Sequence, residues 1–108
     1  MTEALVVLTT VAKADEGEQL ANLIVESELA ACVQILPPIT SIYHWEGKLE
    51  KASETLLLIK TTRAAYPALE KFIREHHSYK TPEIISLPIE FVLTDYLDWL
   101  TEFVRKFE

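Results

Sequence analysis

The sequence predicts an α+β domain in which the elements follow the order β-α-β-β-α-β, with one more helix at the end. Three observations carry that reading. Short apolar, β-branched runs recur along the chain, two stretches between them repeat with helical period, and a third helical stretch closes it. No linker, repeat or low-complexity tract divides the 108 residues, so 1–108 is read as one domain.

The run from Ala4 to Val11 is almost wholly apolar and suits a central strand covered on both faces. Asp15 is the expected cap of the next helix, with Glu16 and Glu18 in its first turn. Leu20, Leu23, Ile24 and Ser27 then fall at i, i+3, i+4 and i+7. Cys32 to Leu36 reads as a second strand. Pro37-Pro38 cannot donate to a ladder and interrupts it, and the strand resumes from Ile39 to Trp45. Glu46-Gly47 is the reversal, Lys48-Leu49-Glu50 starts the return arm, and Thr55 to Thr61 is the third strand. This hairpin is too long for a small domain, so its middle, Tyr43 to Ser53, is expected to project.

The second helix is expected to begin near Ala64, because Pro67 is tolerated only in a first turn. Tyr66, Leu69, Phe72 and Ile73 form its apolar stripe. It ends near His76-His77, and Pro82 prevents continuation. Glu83 to Ile89 is a short fourth strand with Pro88 at an edge or bulge. Thr94 is expected to cap the last helix, with Asp95 and Asp98 in its first turn and Arg105 and Lys106 in its last. Tyr96, Trp99, Leu100, Phe103 and Phe107 give that helix an aromatic face. This order is the split β-α-β, or ferredoxin-like, arrangement with a long projecting β-hairpin and an extra C-terminal helix.

Composition narrows the function. There are 17 Asp+Glu against 10 Lys+Arg, a net charge of −7, and the excess lies mostly in the first half. An acidic domain repels phosphate backbones and anionic membranes, so no nucleic-acid and no membrane partner is expected. The single cysteine, Cys32, excludes an internal disulfide and a multi-cysteine zinc site. No signal peptide or membrane-spanning run is visible, and a cytoplasmic protein is expected. Two glycines tell against a phosphate-cradling loop. Acylphosphatase chemistry would need an arginine and an amide nest after the first strand, where Thr9 to Asp15 offers only Lys13. No catalytic residue is assigned and no enzyme is expected.

His76-His77 is the most suggestive pair, since two imidazoles can ligate a divalent metal. Adjacent helical residues point about 100° apart, however, and the alternative is one histidine on the helix dipole beside an exposed neighbour. Cys32 lies in an apolar stretch with no adjacent cation and reads as an inert thiol. Tyr43 and Trp45 share one face of the arm and read as subunit-interface anchors, as does Trp99. His44 faces the other way. Glu46, Glu50 and Glu54, with Lys48 and Lys51 between them, read as a solvated arm. The projecting arm and the aromatic last helix both ask for a symmetric homo-oligomer.

Five ordered segments carry a family resemblance. They are Leu29-Ala30-Ala31-Cys32-Val33, Ser41 to Glu50 (Ser-Ile-Tyr-His-Trp-Glu-Gly-Lys-Leu-Glu), Leu58 to Thr62, His76 to Ile84 (His-His-Ser-Tyr-Lys-Thr-Pro-Glu-Ile) and Tyr96 to Leu100. Together they resemble the CutA family of divalent-cation tolerance proteins. The resemblance implies a ferredoxin-like subunit, a homotrimer whose arms pair with the neighbouring sheet, and a cytoplasmic role in tolerance to copper or other divalent cations. It also implies copper at the histidine pair matching His76 and His77, and an inter-subunit cleft lined by Tyr79 and Glu83. The family's cysteine near the end of the first strand is replaced here by Leu8-Thr9-Thr10, its proline after the second histidine by Ser78, and its acid or amide after the tyrosine by Lys80. The architecture is similar to that of the PII signalling proteins, which implies a second reading. In it a PII-like trimeric regulator binds a small molecule or partner protein in the cleft, without catalysis.

Overall fold

A computed structural model describes residues 2–107. The elements are β1 (Ala4–Val11), α1 (Ala14–Glu26), β2 (Cys32–Ile35), β3 (Ile39–Trp45), β4 (Lys48–Thr62), α2 (Tyr66–His76), β5 (Ile85–Pro88) and α3 (Thr94–Phe103). The sheet runs β2-β4-β1-β5, and β3 continues along the outer half of β4. Every pairing is antiparallel. This is the ferredoxin-like order, with the expected return arm and third strand joined into one continuous strand of 15 residues.

The register decides which residues enter the core. Val7 pairs with Ile59, Thr9 with Leu57 and Val11 with Thr55, so these side chains share one face. α1 and α2 cover that face with Leu20, Ile24, Leu69 and Ile73. A Cβ on Gly17 would meet Val11 at 3.2 Å and Leu57 at 3.3 Å, so glycine lets α1 lie close against the sheet. α3 closes a second cluster, with Leu100 and Val104 against Ala4 and Ala65. The opposite sheet face carries Val6, Leu8, Leu56 and Leu58, and they are only partly buried. The expectation that β1 is covered on both faces is therefore corrected for a single chain, which has no α1/α2 layer on that side.

The projecting hairpin is present, and the domain extends 44 Å along its long axis against 25 and 24 Å across. Its tip, Glu46-Gly47, has φ of 50° and 78°, the twist of a two-residue primed turn in which glycine is at home.

Both expected caps are corrected. Lys13, not Asp15, is the N-cap of α1 and makes no side-chain cap bond. Asp15 Oδ1 instead accepts the neighbouring Glu16 N–H. Leu93, not Thr94, precedes α3. That helix stops at Phe103, so Arg105 and Lys106 lie beyond its last turn. They still serve helix ends. Lys106 Nζ donates to the Thr101 carbonyl, while the Arg105 guanidinium donates to the Ser27 carbonyl at the end of α1. The fourth strand is also shorter than expected. Pro88 sits opposite Leu5 on the edge strand, where its missing N–H costs no ladder bond.

Candidate functional site

The site is built where the hairpin leaves the sheet. A cleft of about 620 Å³ opens there, lined by Thr10 of β1, Tyr43 and Trp45 of β3, Glu54 of β4 and the loop after α2. Strand alternation places Ser41, Tyr43 and Trp45 on the same hairpin face as Glu54, and His44 on the other, as the sequence predicts. Glu54 is 8% exposed, although the sequence reads it as part of a solvated arm. The reason is Tyr79, which folds over it from the loop and donates its phenol O–H to Glu54 Oε2 at 2.9 Å. Burial, then the Glu54 carboxylate, pushes the Tyr79 phenol up to about 12, so it stays a donor at neutral pH.

The loop is held by His77. α2 ends at His76, and His77 turns into extended backbone with φ of −86° and ψ of 142°. Its Nδ1 accepts the Tyr79 backbone N–H at 3.0 Å, so that nitrogen carries no proton. Nε2 is therefore the protonated one, and it donates to the Thr10 carbonyl at 2.8 Å. Both ring nitrogens of His77 are engaged. His76 differs. Its Nδ1 meets the Phe72 carbonyl at 2.8 Å and must donate to it, and its ring stacks on Phe72 at 4.1 Å. Nε2 of His76 meets no partner among the described residues, on an exposed side chain.

The two histidines thus diverge at the helix end rather than facing one point. Among the described residues no group of three or more His, Cys, Asp or Glu side chains is gathered as a metal cage. Cys32 is half-buried on β2, where it pairs with Lys60, far along the sheet from the cleft. Tyr79 and Glu83 both line the cleft, and Lys80 lies on its exposed rim. Tyr43, Trp45 and Trp99 remain 41%, 53% and 39% exposed. Trp99 stands between Tyr96 and Phe103, with ring centroids 5.5 and 5.7 Å away, in an outward-facing aromatic row. The sequence reading missed Glu54. No local signal marks it, because its partner is 25 positions away.

Residues 5–103 match the family model described as CutA1 divalent ion tolerance protein. A divalent-cation tolerance protein CutA from Thermus thermophilus is 46% identical over 97 residues, which is 90% of this chain and 94% of that protein. The chloroplastic CutA of Arabidopsis thaliana is 44% identical over 103 residues, and the chain spans only 57% of its length. Among solved structures, CutA1 from Oryza sativa superposes with a TM-score of 0.93 at 42% identity, covering 95% of this chain and 94% of that one. The periplasmic divalent cation tolerance protein CutA from Archaeoglobus fulgidus gives 0.91 at 37% identity, covering 94% and 99%. No described helix is long and apolar enough to cross a membrane.

Proposed function

The chain belongs to the CutA1 divalent ion tolerance family, and on that premise we propose that it serves tolerance to divalent cations as a homotrimer, with copper or another divalent ion as cargo. The observation that carries the cation reading is the state of His76. Its Nδ1–H is tied to the Phe72 carbonyl and its Nε2 is free, and a backbone carbonyl on one ring nitrogen is what orients an imidazole to offer the other to a metal. His77 then acts as the support that holds the adjoining loop rather than as an equal ligand. With one imidazole and no thiolate nearby, the remaining positions fall to water or to a neighbouring subunit. Such a site exchanges its ion readily, as a cargo site should.

The homotrimer reading rests on exposed apolar surface. Ile42 and Leu49 on the arm are 67% and 71% exposed, and the sheet face opposite α1 and α2 is only partly covered. Monomers rarely leave such surface open. Three chains at −7 each also attract cations generally. The reading is of a non-catalytic, cytoplasmic protein.

Calorimetric titration with Cu²⁺, Zn²⁺ and Ni²⁺ tests this. A saturable divalent-ion site lost in His76→Ala supports the proposal, and binding unchanged in that variant overturns the assignment.

A further inference from the structure

The cleft holds a feature that a transition-metal site does not explain. Glu54 is 8% exposed, and its one hydrogen bond comes from a neutral phenol. No cation among the described residues meets it. Lys80 on the rim is exposed and makes no bond to it. A carboxylate drawn out of water is normally paired, because its desolvation otherwise goes uncompensated. Around Glu54 the cleft presents three aromatic side chains, Tyr43, Trp45 and Tyr79. Carboxylate and rings together form the setting that holds an organic cation, through its charge on one side and ring faces on the other.

We propose that this cleft binds a small organic ammonium ion, with the cationic head on Glu54 and its carbon substituents against Tyr43, Trp45 and Tyr79. Three observations favour this occupant over others. A dehydrated metal ion needs several donor atoms, and no cage of three is present among the described residues. The Tyr79 O–H is already committed as a donor to Glu54, so its ring faces the site as part of a wall. An anion would meet two carboxylates, Glu54 and Glu83, against the one cation of the same lining, Lys80 on its exposed rim. The cleft, about 620 Å³, falls in the size range of small-molecule sites. This site is separate from His76, so the two readings fail independently.

The test uses choline as the probe, titrated into the assembled wild-type protein at constant ionic strength. The uncharged isostere with carbon in place of the nitrogen is the control. Saturable choline binding, at least tenfold tighter than the isostere, is the expected result. Glu54→Gln should weaken choline about tenfold, and Trp45→Leu should weaken it in a background where Glu54 is intact. His76→Ala should leave it unchanged. Equal binding of choline and isostere, no binding through the millimolar range, or wild-type affinity in Glu54→Gln would overturn the proposal. So would a crystal structure of the assembly with a neighbouring subunit's lysine seated on Glu54.

Discussion

The Nε2 nitrogen of His77 lies 2.8 Å from the carbonyl oxygen of Thr10, a residue 67 positions earlier in the chain. That bond ties the loop after α2 to the end of β1. Through the next link, Tyr79 to Glu54, it shapes the wall of the cleft.

His77→Ala removes a donor to the Thr10 carbonyl and an acceptor for the Tyr79 N–H. The expected loss is about 1–2 kcal/mol of stability in urea unfolding, together with loosening of the loop. His77→Gln should recover part of it. Nitrogen-15 NMR of the wild type should find the His77 ring in the Nε2–H tautomer. The opposite tautomer would contradict the assigned roles.

The Tyr79 phenol is held in its protonated form up to about pH 12, against 10 in an unfolded chain. Between those values the unfolded state releases a proton that the folded state keeps, so stability falls as pH rises. Its contribution is intact below pH 10 and is lost through the window up to about 12. Tyr79→Phe should flatten that part of the alkaline stability profile. Tyr66, raised by burial and by Glu70, still titrates in the variant. Melting temperatures measured across this range check it, and an unchanged alkaline slope would count against the Tyr79–Glu54 link.

Thr9 is fully buried on the helix-facing side of β1, and its hydroxyl has no hydrogen-bond partner. Thr9→Val removes an unsatisfied polar atom and keeps the shape. Stability should rise by about 1 kcal/mol in denaturant unfolding. A loss of stability would show that the hydroxyl is satisfied after all.

Glu28 follows the end of α1 with φ of 59°. Its N–H donates to the Val25 carbonyl at 3.0 Å and the next N–H, of Leu29, to Ile24 at 3.1 Å. This is the closing motif of a helix in which glycine usually takes the left-handed position. Glu28→Gly should raise stability by about 0.5–1 kcal/mol, since it relieves the backbone and removes an acid from a helix C-terminus. Thermal unfolding decides the sign.

The order of elements was legible because the signals are periodic or local. Prolines 37, 38, 67 and 82, the Glu46-Gly47 turn and the β-branched runs each act within a few residues. Cap positions were less legible, since Asp15 and Thr94 have the right chemistry but sit one or two residues inside their helices. Arg105 was placed on its own helix, yet it serves the end of α1, 78 positions earlier at Ser27. The cleft was half legible. Tyr79 and Glu83 entered through family resemblance, and Tyr43 and Trp45 through their shared face. Glu54 looked like any charged strand residue until the chain folded Tyr79 over it. The difference between His76 and His77 was likewise hidden, because it depends on where the helix stops and on a carbonyl of β1.

The proposed function requires a trimer that carries divalent ions through His76. Native mass spectrometry of the protein titrated with Cu²⁺ reads assembly and ion count together. The expected spectrum is a three-chain species that takes up copper to a saturating count, with uptake lost in His76→Ala and the three-chain mass retained. A single-chain species, or copper uptake that His76→Ala leaves untouched, would contradict the account.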